Sequence, residues 1–211
     1  IDKENNKILW NDERVSEIGN LFTTQEETNF ADVFLLNAKK DWVTKNRKKP
    51  KGIIYISDTS KKISTTKDGN KYNENIYDHS VNKEWGTNKW ENFINLIKKD
   101  YLIVKSSKYQ VRELEGVYTT TCDFRSVKAI MDKADFYVGN EGGLSHLWAT
   151  TRKKGIVFFG HWIPPYLTGY SFHINITINN GKHCGSLNVC NDCLNFYRNL
   201  SAEFVKNVLD E

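Results

Sequence analysis

The alternation of short apolar strands with amphipathic helices between residues 53 and 160 constrains the fold of this chain more than any other feature. Residues 53–56 and 156–159 are continuous apolar runs rich in β-branched and aromatic side chains, typical of strands buried on both faces. A helical stripe with i, i+3, i+4, i+7 spacing lies between them at Trp90, Phe93, Ile94 and Ile97. Parallel neighbouring strands need crossover connections, which helices usually supply. We therefore predict an α/β fold, a Rossmann-like parallel sheet with helices on both faces.

The other predicted elements continue this alternation. We predict strands at residues 101–104, 116–118 and 136–138, helices at 108–114, 127–134 and 144–151, and a last helix capped by Ser201. The helix that carries Trp90 is predicted to begin at Thr87 or Asn88, with Glu91 completing a capping box on Asn88. Residues 57–82 are polar and predict a long loop.

The first fifty residues differ in character from the rest of the chain. They are polar and irregular except for an apolar patch at residues 33–36 that predicts a helix running through Trp42. We therefore divide the chain into an N-terminal extension or linker with some helix, residues 1–50, and a Rossmann-like domain, residues 51–211. Because the chain begins with Ile1 rather than Met, we expect a processed product or part of a longer protein.

Composition and charge exclude several classes of protein. Hydrophobic residues make up 39% and aromatic residues 13% of the 211 residues, which argues against intrinsic disorder. No segment approaches the roughly 20 apolar residues of a membrane-spanning helix, and the first residues lack the apolar core of a signal peptide. The net charge of +4 comes from dispersed basic residues, so a nucleic-acid partner is not indicated. We expect a cytoplasmic protein.

The segment from residue 134 to 147 joins a strand, a turn and the start of a helix. Gly142 and Gly143 allow the backbone to approach a ligand closely, and unpaired N–H groups at a helix start favour phosphate. Glu141 offers a carboxylate that accepts hydrogen bonds from sugar hydroxyls, and His146 follows one turn into the helix. The spacing alone leaves an alternative open, in which the glycines relieve crowding and His146 is a structural hydrogen-bonding residue.

Two separated motifs resemble glycosyltransferase family 9, the heptosyltransferase-like enzymes of GT-B architecture. One is VGNEGGLSHLWA at residues 138–149, followed by the apolar run 156–159 and GHWIP at 160–164. The other is KEWGTNKWE at residues 83–91. The resemblance extends over about residues 50–211, and it implies one Rossmann-like half of a GT-B enzyme, the half that holds the nucleotide sugar. This sequence has Glu141 where the family usually has Asp, Gly142 where it has Ser or Thr, and His161 and Trp162 in place of Thr.

The resemblance implies roles for the motif residues. Lys83 would contact the donor's phosphates or sugar and Glu141 the transferred sugar, and these two are the candidate catalytic residues. The backbone N–H groups of Gly142, Gly143 and Leu144 would hold the diphosphate, with His146 supporting the loop or a phosphate.

Other candidate binding residues complete this set. Glu113 or Glu115 would bind the ribose or the base edge, and the sequence does not choose between them. Gly160 and Trp162 follow a buried strand, where an aromatic ring can stack on a nucleobase or an acceptor sugar or can pack in the core.

The activity implied by the resemblance is transfer of a sugar from a nucleotide-diphosphate sugar to an acceptor hydroxyl, by a complete enzyme or its donor-binding domain. The acceptor would be a glycan, a lipid-linked sugar or a protein, bound by an N-terminal domain or within a homo-oligomer. No cofactor is implied for catalysis. The alternatives are a non-catalytic nucleotide-sugar-binding module, favoured by the altered Glu141 and Gly142, and a GT-B-type nucleotide-sugar epimerase.

Three of the four cysteines lie close together near the C-terminus. Cys184, Cys190 and Cys193 follow His183, and the last two have the C-x-x-C spacing with which two thiolates grip one metal ion. The sequence is consistent with a structural zinc or iron site, with free thiols or with a disulfide. Cys122 is expected to be a core residue.

Overall fold

A single parallel sheet organises the protein. The computed structural model describes residues 3–11, 13–14, 16–58, 79–107, 113–178 and 183–211. Six parallel strands form the sheet in the order β3-β2-β1-β4-β5-β6. In chain order they are β1 (Ile53–Ser57), β2 (Leu102–Ser107), β3 (Val117–Thr121), β4 (Phe136–Asn140), β5 (Gly155–Gly160) and β6 (Ile174–Thr177).

Seven helices and one 3-10 turn connect and cover these strands within the described ranges. The helices are α1 (Gln25–Asn46), α2 (Thr87–Ile97), α3 (Phe124–Lys133), α4 (Gly143–Ala149), α5 (Pro165–Thr168), α6 (Asn191–Asn199) and α7 (Ala202–Asp210). The 3-10 turn is His79–Lys83. The predicted Rossmann-like fold is confirmed, and β6, α5 and α6 are elements that the sequence analysis did not predict.

The sheet has a separate hydrophobic core on each face, because successive side chains of a strand point to opposite faces. Tyr55 and Tyr137 belong to the core covered by α1, α3 and α4. Ile54 and Val138 belong to the core covered by α2, α6 and α7. All four side chains are almost fully buried, as expected for a parallel sheet with helices on both faces.

Helix α1 is longer than the sequence predicted and begins at a capping box. The Thr24 hydroxyl accepts a hydrogen bond from the Glu27 N–H at 3.2 Å, and the Glu27 carboxylate accepts one from the Thr24 N–H at 2.6 Å. The buried Leu35 and Trp42 join the first core. The division of the chain at residue 50 stays a prediction.

Helix α2 begins differently from the prediction. Its N-cap is Gly86, at φ +90°, and no side chain caps it. The predicted caps, Thr87 and Asn88, are instead the first two residues of the helix, because Gly86 has the non-helical backbone conformation of the N-cap. Trp90 then packs edge-on against Trp85, with ring centroids 4.9 Å apart.

Two predictions fall partly outside the described residues. They are the helix at 108–114, of which residues 108–112 are not described, and the loop at 57–82, of which residues 59–78 are not described. Among the helices that are described, none combines the length and the apolar character needed to cross a bilayer.

Candidate functional site

The turn that follows β4 lies at the carboxyl edge of the sheet, where ligands of parallel sheets bind. Gly142 has φ +156° and ψ −163°, a conformation essentially restricted to glycine. Its N–H donates to the Ser145 hydroxyl at 3.1 Å, and that hydroxyl donates to the Gly142 carbonyl at 2.8 Å. A Cβ built on Gly143 would meet no atom within 4 Å. The hydrogen bonds between Gly142 and Ser145 therefore fix the turn, and open space lies in front of Gly143.

Lys83 and Glu141 form a buried ion pair beside this turn. The Lys83 ammonium donates to Glu141 Oε2, although the two residues are 58 positions apart. The Glu141 side chain is 6% exposed and the Lys83 side chain 17% exposed. Lys83 Nζ also lies 4.2 Å from the centroid of the Trp162 ring. The structure thus brings together the two residues that the sequence analysis selected as catalytic.

His146 approaches the same carboxylate from the first turn of α4. Its Nε2 is 3.9 Å from Glu141 Oε1, and its Nδ1 is 3.0 Å from the Tyr170 hydroxyl. Burial lowers the pKa of His146 below 6.5, opposed by the charge of Glu141 and reinforced by the charges of Arg14 and Lys83. The imidazole is therefore neutral at pH 7, and Lys83 is the cation in direct contact with Glu141.

Trp162 is buried at the edge of this site. Its ring is 8% exposed, its indole N–H donates to the Ser186 carbonyl at 2.7 Å, and Trp10 packs on it edge-on at 5.9 Å. Gly160 ends β5 at φ +61°, and a Cβ there would lie 2.9 Å from the Tyr197 ring. Of the two roles left open for Trp162, packing is what these contacts support.

Glu113 and Glu115 lie away from the other predicted site residues. Both precede β3 and therefore lie at the amino edge of the sheet, opposite the turn after β4. Glu115 forms a 2.9 Å ion pair with Lys98, and its side chain is 91% exposed. The expectation that one of them joins the ligand site disagrees with this placement, because both lie where the chain enters β3, at its amino end.

A second ion pair with a buried lysine links β2 to the end of β1, and the sequence analysis missed it. Lys105 in β2 is 2% exposed, and its ammonium donates to Asp58, just after β1, at 2.9 Å. The signal that could have revealed this pair is an aspartate directly after β1 and a lysine directly after the apolar run of β2.

The cysteine-rich segment meets the end of β5. One ligand atom each from His161, Cys184 and Cys190 lies within 4.8 Å of the other two. Cys193 is buried, and its sulfur is 3.3 Å from Cys184 Sγ. The sequence analysis selected the three cysteines but missed His161, and it included His183, whose Nε2 instead contacts the Thr177 hydroxyl at 2.9 Å.

The electrostatics of this group favour one thiolate. The hydrogen bond from Cys193 lowers the pKa of Cys184 to about 6, against the opposing effect of burial, and His161 contributes in the same direction. The same hydrogen bond raises the pKa of Cys193. Within this group the thiolate, the form of cysteine that ligates metals, is therefore favoured at Cys184.

The six-stranded parallel sheet with helices on both faces defines a Rossmann-like domain. No protein-family model matches the sequence, and no curated protein matches it significantly. The similarities to solved structures are all at low sequence identity and therefore concern the fold alone.

Solved glycosyltransferases share this fold. The E. coli ADP-heptose LPS heptosyltransferase II matches with a TM-score of 0.52 and 11% identity, over 90% of this chain and 52% of its own. A family 9 glycosyltransferase from Veillonella parvula matches with a TM-score of 0.51 and 12% identity, over 92% and 54%. The iron-containing dodecameric glycosyltransferase TibC from enterotoxigenic E. coli matches with a TM-score of 0.51 and 16% identity, over 75% and 44%. The chain thus spans about half the length of these structures.

Proposed function

We propose that this chain is the donor-binding domain of a glycosyltransferase that moves a sugar from a nucleotide-diphosphate sugar to an acceptor hydroxyl. The observation that carries the proposal is the convergence of Lys83, Glu141 and His146 on a glycine turn at the carboxyl edge of the central strand β4. Two structural neighbours support the choice of ligand, since WaaC is described with ADP-2-deoxy-2-fluoro heptose and TibC with ADP-D-β-D-heptose.

The backbone of the turn suits the diphosphate. The Gly142 N–H is already bonded to Ser145, so the N–H groups of Gly143 and Leu144, the first residues of α4, would bind phosphate oxygens. Open space lies in front of Gly143. A neutral His146 would add a hydrogen bond without adding charge.

The ion pair suits the transfer step. The acceptor oxygen would attack the anomeric carbon as the bond from that carbon to the phosphate oxygen breaks, and the electron pair would leave with the diphosphate. Lys83 would stabilise the departing negative charge, and Glu141 would accept hydrogen bonds from the sugar hydroxyls. The proton of the acceptor hydroxyl would pass to a base on an acceptor-binding domain or a second subunit.

Gly143 offers a clean test of this proposal. A methyl group at Gly143 meets no neighbour, so Gly143→Ala should fold normally but obstruct the space in front of the turn. We expect it to weaken binding of an ADP-, UDP- or GDP-sugar at least tenfold in calorimetry. Glu203→Ala is the control, since Glu203 is an exposed residue of α7, outside the candidate site. Equal affinity in the two variants contradicts the site. Binding without transfer or donor hydrolysis, after an acceptor domain is supplied, favours the non-catalytic module.

We further propose that the cysteine-rich segment holds a structural zinc or iron ion. One ion can be bound by the soft and borderline ligand atoms of His161, Cys184 and Cys190. Cys193 is close enough to Cys184 to complete a set of four ligands. In a tetrahedral zinc site, Zn–S bonds of about 2.3 Å separate sulfurs by about 3.8 Å, so small adjustments suffice. The ion would tie α6 to the end of β5.

Metal analysis tests this second proposal. We expect about one ion per chain in protein purified without chelator, and loss of that ion in Cys190→Ser. Cys122→Ser is the control, since Cys122 lies outside this group. Purified protein without zinc or iron that also fails to bind either when it is added contradicts the proposal.

A further inference from the structure

The N-terminal strap, residues 3–24 with positions 12 and 15 outside the described part, lies across the loops at the carboxyl edge of the sheet. At one end the Ile8 N–H donates to the Gly185 carbonyl at 3.0 Å. Further along, the Ser16 hydroxyl donates to the Leu167 carbonyl at 2.8 Å. Arg14 lies between these two anchors, in a turn closed by its own N–H and the Asn11 carbonyl at 3.2 Å.

The strap contacts residues that touch the Lys83–Glu141 pair. Trp10 packs edge-on against Trp162, whose face is covered by Lys83. On the other side, Ser16 lines a cavity of about 400 Å³ together with Tyr170, whose hydroxyl bonds to His146. The strap therefore borders the candidate donor site on both sides of Arg14.

The charges of the site leave a role for Arg14. A diphosphate brings at least two negative charges, whereas Lys83 supplies one positive charge and already shares it with Glu141. His146 is neutral at pH 7, since burial lowers its pKa. Arg14 is exposed, and no carboxylate in the described ranges forms an ion pair with it. Burial raises the pKa of Tyr170 and the charge of Arg14 opposes this rise, which agrees with the position of the strap at the cavity that Ser16 and Tyr170 line.

We infer that Arg14 is a binding residue for the donor's diphosphate, contributed by the N-terminal strap from outside the sheet. This inference rests on the proposed function of the site. A guanidinium presents paired N–H donors that match phosphate oxygens, and no ion pair within the described part of the chain neutralises its charge. The strap is then part of the donor site, and its anchors at Gly185 and Leu167 hold the segment that carries Arg14 beside Trp162 and Tyr170, which contact Lys83 and His146.

The test compares nucleoside diphosphates with the matching nucleosides. ADP, UDP and GDP are titrated into the wild-type chain, and the best ligand is then titrated into Arg14→Gln, Arg14→Lys and the control Arg198→Gln, which alters a surface arginine on α6. We expect Arg14→Gln to weaken diphosphate binding by about tenfold, the size of a lost charge-assisted hydrogen bond. Arg14→Lys should recover part of this loss. Affinity for the nucleoside should be unchanged, since only the phosphates contact Arg14.

Three outcomes decide between the proposals. If Arg14→Gln binds the diphosphate within twofold of the wild type, the inference is wrong and the proposed donor site stands. If Arg14→Gln weakens binding of the nucleoside and of the diphosphate equally, the strap affects the shape of the site, and a phosphate contact of Arg14 is rejected. If the wild-type chain binds no nucleoside diphosphate, the proposed function fails and the role of Arg14 fails with it.

Discussion

The two edges of the sheet use the same residue types in different ways. At the amino edge, Lys98 pairs with Glu115, whose side chain is 91% exposed. At the carboxyl edge, Lys83 pairs with Glu141, whose side chain is 6% exposed. Exposed pairs contribute little because water already solvates both charges, whereas a buried charge without its partner is strongly unfavourable. The same pairing of a lysine with a glutamate is therefore a solvated surface contact at the amino edge and holds a buried carboxylate at the carboxyl edge.

Breaking the buried pair should have the largest effect. We expect Lys83→Met to lower the free energy of unfolding by about 3 kcal/mol, because Glu141 keeps a buried charge without a partner. Urea unfolding at pH 7 measures this loss. The double variant Lys83→Met, Glu141→Gln should be more stable than Lys83→Met alone, because it removes that charge. A single variant as stable as the wild type would mean that water reaches Glu141.

His173 sharpens the comparison, because it is a buried titratable group that precedes β6 at the amino edge. Burial lowers its pKa from 6.5 to about 4, opposed by a hydrogen bond with the Lys153 backbone and reinforced by His146. The unfolded chain therefore takes up the proton first as the pH falls. This contribution to stability is fully present above about pH 6.5 and decreases towards pH 4, by about 3 kcal/mol in all.

The variant His173→Gln isolates this effect. The wild-type chain should lose more stability than the variant between pH 7 and pH 4.5, as measured by urea unfolding at each pH. Parallel pH profiles would show that His173 does not titrate as described.

The exposed pair should give the smallest effect. We expect Glu115→Gln to leave the urea midpoint and the affinity for nucleoside diphosphates unchanged, because its carboxylate is almost fully solvated. The same two measurements on Glu141→Gln provide the matched comparison. A clear loss of binding in Glu115→Gln would restore the earlier expectation that a carboxylate before β3 contacts the nucleotide.

Local patterns predicted most of the fold. The apolar runs of β1 and β5 and the stripe of α2 are readable because burial imposes a period on the sequence. Helix α1 was only partly predicted, since its capping box at Thr24 lies nine residues before the apolar patch used to find it. Strand β6 was missed because its residues, INIT, include two polar ones, as an edge strand tolerates.

The sequence by itself determined the alternation of strands and helices and the glycine turn after β4, because both depend on residues that are neighbours along the chain. Only the tertiary structure decided which charges are paired and buried. Lys83 meets Glu141 and His161 meets Cys184 across the carboxyl edge because parallel strands bring their ends together there. Glu115 is carried to the opposite edge for the same reason, since it lies before its strand and not after it.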